Sequence, residues 1–377
     1  MRYDNYMPVK IISGDNCVKK YNFSSWGRRC IIMTGKSGAL KSGLLADLEK
    51  HLTEQLIEYF IFDGILENPT VESCFEAGAY ACEFNANFII GAGGGSVLDA
   101  TKAASIFATN PLLEAMELFN ATQIITPLPT ILIGTTAGTG SEVTPVSVLT
   151  INTDGVPLKK SYRSHLIYAK VALCDPRYTM SLSWEQTTNT ALDTICHLVE
   201  ALYSVRAGSF EELYALEGLK VGWKAFIKAH WRMVFEKQEV EYSQREQLLY
   251  ASIMGGLSIN GTGTCFPHTL SYALTTIKGV PHGKACAYFL GEFVRLMHSS
   301  DERKTSILLK AVNEDTLDAF LVGIQSMVGE LEILTNEEAM QFTEYIKNAA
   351  SLDNSIIPIN SGTAYKIYKK LFVKWFI

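Results

Sequence analysis

Residues 86–108 read ANFIIGAGGGSVLDATKAASIFA: a short apolar run, a cluster of glycines, then small and apolar residues at helical spacing. The stretch predicts a buried strand, a tight loop and a helix, in that order. A strand that feeds a helix in this way is the repeating unit of a parallel α/β sheet. Glycines at the turn let the backbone approach a pyrophosphate, and the unpaired N–H groups and dipole of a helix start favour negative charge. A tight strand-to-helix turn also wants glycine for its own geometry, and the spacing departs from the G-x-G-x-x-G dinucleotide pattern with its downstream acid. On these residues alone, Gly91 to Asp99 is either a nucleotide loop or a structural turn.

The flanks repeat the rhythm. Upstream, RCIIMTG (29–35) predicts a strand ending in Gly35, KSGLLADLEKHLTEQ an amphipathic helix, IEYFIFDGI a second strand and TVESCFEAGAYACEFN a second helix. Downstream, TPLPTILIGTTAGTGSEVT ends a further strand in small and hydroxyl residues. Its loop, Thr135 to Thr144, lies at a strand end, where open α/β sheets bind ligands. After Asp175-Pro176 the texture turns to long helical segments with almost no strand candidates, so residues 1–180 form an α/β domain and 181–377 a helical one. No internal repeat or low-complexity segment interrupts either.

Composition narrows the partners. The 377 residues are 47% hydrophobic and 19% charged, enough to bury one large core or two. With a formal charge of -6 and 33 basic residues spread along the chain, no electrostatic footprint points to nucleic acid or a membrane surface. The N-terminus MRYDNYMPVKIISG lacks an apolar segment behind a basic start, and no run approaches the ~18 apolar residues needed to span a bilayer. A cytoplasmic protein is expected. Eight cysteines without a C-x-x-C pair fit reduced thiols rather than a disulfide frame or a thiolate zinc site. Cys196 points off the helical face of His197 and is read as packing.

In ALDTICHLVE (191–200), Asp193 and His197 stand four apart on an apolar helix, so both can reach one point in space. That pattern suits a metal ion, and equally an ion pair or a core histidine bonded to an aspartate. Two more histidines fall in FPHTLSYALTTIKGVPHGKACA: His268 near a helix start and His282 in a Pro-His-Gly turn. Together the four make one carboxylate and three imidazoles, a donor set for Zn²⁺ or Fe²⁺ at a catalytic site with room for substrate. Spacing does not join the pairs, and singly His268 also reads as a buried histidine and His282 as a turn residue. His51, His165, His230 and His298 have no such context and are taken as surface or packing residues.

GAGGGSVLDATKA, TTAGTGSEVT, DTICHLVEA and HTLSYALTTIKGVPHG together resemble the iron-containing (group III) alcohol dehydrogenase family in order and interval, from the N-terminal strand to about residue 300. The resemblance implies a Rossmann-like dinucleotide-binding domain, an all-α metal-binding domain and an active site in the cleft between them. It implies that Asp193, His197, His268 and His282 are the metal ligands. It further implies that Gly94, Gly95 and Ser96 wrap the pyrophosphate, that Asp99 in the same loop motif belongs to the cofactor site, that Asn68, Thr135, Thr136 and Thr144 line the cofactor cleft, and that Lys159 contacts the cofactor. The family's usual proline before the metal helix is Ser183 here, its usual glycine-hydrophobic pair is Ala191-Leu192, and Tyr272 stands where many members carry a further histidine. Beyond about residue 300 the chain matches only as helices.

The activity so implied is a metal-dependent alcohol dehydrogenase or aldehyde reductase, with the ion polarising the oxygen of a small alcohol or carbonyl compound and a nicotinamide exchanging the hydride. Polyol oxidation of the glycerol dehydrogenase kind and dehydroquinate-synthase-like chemistry use the same scaffold, but those sister groups more often place lysine where this loop has Ser96. A catalytically silent nucleotide- or metal-binding protein is the alternative outside enzymes. The expected ion is Fe²⁺, with Zn²⁺ suited to the same donors. The family position that selects NAD by a carboxylate is Gly35 here, followed by Lys36, Ser37 and Lys41, so the loop offers cationic and hydroxyl donors to a 2′-phosphate and NADP is expected over NAD. A homodimer or larger homo-oligomer, seamed at the N-terminal strands, is the expected assembly.

Overall fold

Strands covered on both faces read as unbroken apolar runs, and strands at an edge alternate. The computed structural model describes residues 3, 5–121 and 124–373. Met1, Arg2 and Asp4 of the segment read above for a leader, and residues 374–377 of the closing helical stretch, lie outside them. Among the described residues the strands are β1 (Lys10–Ser13), β2 (Arg29–Gly35), β3 (Glu58–Ile65), β4 (Phe88–Gly93), β5 (Thr130–Gly134), β6 (Val146–Thr153), β7 (Val156–Arg163) and β8 (Val171–Cys174). One sheet runs in the order β1-β8-β5-β4-β2-β3 with every neighbouring pair parallel. Every residue of β4, β5 and β8 is buried, whereas the edge strand β3 buries only Phe62 and Ile65 and the edge strand β1 has exposed and part-buried positions alone.

The helices α1 (Gly38–Lys41), α2 (Leu44–Glu54), α3 (Val71–Glu83) and α4 (Gly95–Phe107) follow β2, β3 and β4. Side chains alternate along a strand, so Ile31 and Ile32 serve opposite faces. Ile32, Phe88 and Ile90 pack with Leu44, Leu48 and Leu52, the i,i+4 stripe of α2. Ile31, Met33 and Ile89 pack with Val71, Cys74 and Ala77 of α3 and Ala100, Ala103 and Ala104 of α4. Burying each leucine of the α2 stripe contributes about 1.5–3 kcal/mol as an upper bound, since the unfolded chain already hides some of that surface.

β6 and β7 pair antiparallel across Asp154-Gly155, both with positive φ (52° and 83°), the backbone of a two-residue hairpin loop. The hairpin is anchored beside α3: Thr150 donates its N–H to Pro69 O at 2.8 Å and its hydroxyl to Asn68 O at 3.0 Å.

The contacts divide the chain into one compact unit, Tyr6–Leu182, and a second that begins at Ser183 and includes Tyr3 and Asn5. Asn5 Nδ2 donates to Tyr214 OH at 3.3 Å, and the Tyr3 ring meets Phe210 edge-on at 5.7 Å. The second unit is helical: α5 (Trp184–Tyr203), α6 (Ser209–Trp231), α7 (Tyr242–Thr262), α8 (Phe266–Thr276), α9 (His282–His298), α10 (Glu302–Val312), α11 (Leu317–Val328), α12 (Asn336–Ile346) and α13 (Ser361–Phe372). Ser183 caps α5: its hydroxyl accepts from Gln186 N at 3.1 Å and Gln186 Oε1 accepts from Ser183 N at 3.2 Å. A cap of this kind is worth about 0.5–2 kcal/mol to the start of the helix. Among the described residues no helix is long and apolar enough to cross a membrane.

Candidate metal centre and cofactor loops

Three helices of the second unit bring their polar residues to one buried point. Asp193 and His197 sit a turn apart on α5, His268 lies in the first turn of α8, and His282 is the first residue of α9 rather than part of the turn that the sequence suggests. Around Asp193 Oδ1 stand the Nε2 atoms of His268 at 3.3 Å, His197 at 3.7 Å and His282 at 3.8 Å. Asp193, His197 and His268 are buried, while the His282 side chain is 36% exposed and leaves the cluster open on that side. Gly283 makes the convergence possible, since a Cβ there would lie 1.8 Å from Asn189 O on α5. Only glycine lets the two backbones approach so closely.

Two residues complete the cluster that reading the sequence missed. Glu200, the last residue of ALDTICHLVE, is fully buried; its Oε1 accepts from His268 Nδ1 at 2.6 Å and its Oε2 from Cys265 N at 2.6 Å. Holding the proton on Nδ1 leaves Nε2 of His268 as an electron-pair donor. The i+7 spacing from Asp193 was the available signal, because it places Glu200 on the same helical face. Cys286, four residues after His282, brings its Sγ to 3.8 Å from both ring nitrogens of that histidine. Tyr272 is half-buried with its ring stacked towards His282, 6.4 Å away and 23° tilted, and burial raises its hydroxyl pKa.

The donors fit a divalent ion. A tetrahedral ion with bonds of ~2.1 Å separates its nitrogen and oxygen ligands by roughly 3.4 Å. The three distances to Asp193 Oδ1 match such edges, and the longer two exceed hydrogen-bond reach. Burial alone would raise the pKa of Asp193, but His197, His268 and His282 outweigh it and hold the carboxyl well below the usual range. Burial would lower His268, yet Cys286, Glu200 and Asp193 push it well up. Both shifts come from opposite charges facing one another in a buried cluster, and a divalent ion would supply the same positive charge.

The first unit gathers the residues proposed for the cofactor at the C-terminal ends of β2, β4 and β5. Gly94 is the N-cap of α4, and a Cβ on Gly95 would strike the Thr139 side chain at 2.4 Å, so the two loops touch with no room for a larger residue. Thr135 N donates to Gly93 O at 2.9 Å, and Thr136 lies 3.3 Å from the space a Gly94 Cβ would take. Asn68, with φ 55°, donates its N–H to Ser96 Oγ at 3.4 Å and accepts Lys159 Nζ on Oδ1 at 2.5 Å. The Asp99 carboxylate is engaged within the protein, accepting from Ser141 Oγ at 2.5 Å, Val148 N at 2.9 Å and Lys102 Nζ at 3.0 Å. Fully buried Lys102 also donates to Ser141 O at 3.0 Å, to Thr144 O and Oγ1 at 3.4 Å each, and to Val146 O, lashing α4 to the second loop. Gly35 ends β2, and Lys36, Ser37 and Lys41 beside it are exposed. His51 is a packing histidine, its Nε2 2.8 Å from Tyr21 O.

The family model described as iron-containing alcohol dehydrogenase matches residues 8–176, and that of the Fe-containing alcohol dehydrogenase family, C-terminal, matches residues 187–345. The second match runs well past residue 300, where the motifs end. A sulfoacetaldehyde reductase of Bilophila wadsworthia is 29% identical over 323 residues, covering 84% of this chain and 80% of its own length. An NADPH-dependent butanol dehydrogenase of Clostridium saccharobutylicum is 23% identical, covering 82% of this chain and 79% of its own. The crystal structure of an iron-containing alcohol dehydrogenase from Thermotoga maritima superposes with a TM-score of 0.89 at 31% identity, covering 98% of this chain and 99% of that one.

Proposed function

The chain belongs to the iron-containing alcohol dehydrogenase family, and from that premise we propose how its residues divide the work of exchanging a hydride between a nicotinamide cofactor and a small alcohol or carbonyl compound. Asp193, His197, His268 and His282 hold the divalent ion, iron first and zinc also suited to these donors. When bound, the ion supplies Lewis acidity to the alcohol or carbonyl oxygen. Asp193 brings the negative charge that retains it, and Glu200 keeps Nε2 of His268 available to it. Half-exposed His282 marks the side from which substrate enters. In the other unit, Gly94, Gly95 and Ser96 receive the pyrophosphate, and Thr135, Thr136, Thr144, Asn68 and Lys159 line the rest of the cofactor site. Asp99 acts through Ser141 and Lys102 to position the second loop. Lys36, Ser37 and Lys41 give a 2′-phosphate charge-assisted partners, which favours NADP.

The observation that carries this reading is the approach of three imidazole nitrogens to one buried carboxylate oxygen. Asp193→Ala and His268→Ala are each expected to abolish turnover of reduced cofactor with a panel of aldehydes and to lower metal content. Full metal occupancy with normal turnover in either variant refutes the site. A homodimer fits the exposed edge that β1 gives the sheet, and light scattering that shows one ~42 kDa species at micromolar concentration would reject it. Eight free cysteines fit a cytoplasmic location.

A further inference from the structure

We infer that Asn354, which lies beyond the end of the family match at residue 345, positions His268 for the metal ion by holding the turn from which α8 starts. The inference rests on the metal-site reading above and goes beyond it. His268 lies in the first turn of α8, so the place where that helix begins decides where the imidazole stands. Cys265, its N-cap, makes no side-chain cap, and only Gly263 and Thr264 separate it from the end of α7. Gly263 has a φ of 68°, which ends α7. The turn is held from outside. Asn354 Nδ2 donates to Thr262 O at 2.8 Å and to Thr264 O at 2.9 Å, one on each side of Gly263. The next N–H along the chain, that of Cys265, reaches Glu200 Oε2 at 2.6 Å, and Glu200 Oε1 accepts from His268 Nδ1.

Asn354 is itself fixed. Ser204 Oγ donates to Asn354 Oδ1 at 3.0 Å, which sets the amide's orientation: turned over, it would face an oxygen to two carbonyls. The backbone around it is bound to the end of α5, with Val205 N donating to Asn354 O at 2.9 Å and Ile356 N to Tyr203 O at 3.0 Å. Thr269, one residue after His268, bonds through its hydroxyl to Ser351 Oγ. The stretch from Ser351 to Ile356 thus ties the end of the helix that carries Glu200 to the start of the helix that carries His268. An amide suits this place because it donates twice from one nitrogen and accepts on its oxygen, where a carboxylate would only accept. Without it two carbonyls lose their partner and the turn relaxes, carrying Cys265 N and His268 away from Glu200.

The test is affinity for Fe²⁺ without oxygen, by competition with a chromophoric chelator, on full-length wild type, Asn354→Ala, Glu200→Ala and the double variant. Melts of the metal-free proteins verify that each is folded at the titration temperature. Trp223→Phe, which removes a bond from Nε1 to Glu314 Oε1 that touches none of the metal residues, is the control for general destabilisation. Asn354→Ala is expected to lower Fe²⁺ affinity by about tenfold or more, the size of effect that altering a metal's surroundings produces. In the Glu200→Ala background the same change should cost less than about threefold, because its route to His268 is already cut. Trp223→Phe should lower Tm and keep wild-type affinity. Ser204→Ala keeps the amide but frees it to turn, so a smaller loss of affinity is expected, and this variant decides the matter should Asn354→Ala not fold. Affinity within about twofold of wild type in the deciding variant, equal losses with and without Glu200, or an equal loss in Trp223→Phe overturns the positioning role and leaves the metal site standing. Failure of wild type to bind Fe²⁺ at all overturns the metal site and the positioning role with it.

Discussion

Replacing Glu200 with glutamine removes one charge and, more importantly, one acceptor. The carboxylate receives two N–H groups, His268 Nδ1 and Cys265 N, both at 2.6 Å in a fully buried setting. An amide has one oxygen, so it can satisfy only one of them. If the oxygen faces Cys265, the amide N–H₂ faces His268 and drives the ring proton to Nε2, where it blocks the ion; metal affinity then falls about 10–100-fold, or about 1.4–2.7 kcal/mol. If the oxygen faces His268, Cys265 N is buried unpaired at a cost of about 1–3 kcal/mol. A melt of the metal-free protein would register that cost as a drop of about 2–4 °C per kcal/mol. Chelator competition measures the first loss and the melt measures the second. Affinity within about twofold of wild type together with an unchanged melt would refute the reasoning, because one of the two bonds must be lost.

Burial, partly countered by Asp99, holds the Lys159 ammonium down to about 8. The folded chain therefore sheds that proton before the unfolded one, and its penalty on stability fades as pH rises from 8 towards the ordinary 10.5. Affinity for a phosphate-bearing cofactor should be highest below pH 8 and decline through it, and Lys159→Met should flatten the profile in fluorescence titrations; an equal decline in the variant would remove Lys159 from the cofactor site. Gly35→Asp should move preference from NADPH towards NADH in kcat/KM, with a modest loss of stability because its Cβ meets Ile65 O at 3.1 Å. A wild-type enzyme already more efficient with NADH would show the lysine loop to have been misread. Gly283→Ala should lower metal content and Tm together, since α9 must retreat from Asn189, and a variant that retains both would mean the helices have slack there.

The glycine loop was legible because its constraints are local: a buried strand, a turn and a helix start leave a continuous trace from Phe88 to Phe107. Asp193 and His197 were legible as a pair for the same reason, a single helical turn. Joining them to His268 and His282 required the family resemblance, because the packing of α5 against α8 and α9 is not written in any one segment. Glu200 escaped although it lies in the quoted stretch, since an acid at the end of an apolar helix reads as a solvated residue until the partner from α8 is in place. Cys286 escaped because cysteine reads as a small apolar residue wherever it packs. The β6–β7 hairpin went unread because its outer face is polar and lysine-rich, yet the Asp154-Gly155 pair was a sufficient hairpin signal.

Lys102 gives the two units different vulnerabilities. Its ammonium occupies an oxygen cage of carbonyls and a carboxylate, the surroundings in which a free monovalent cation would rest, but it is tethered to the backbone of α4. A chelator that strips the helical unit leaves this cation in place, and dialysis cannot dilute it. Removing metal is therefore expected to leave the Lys102 cage, and the two loops it ties together, folded.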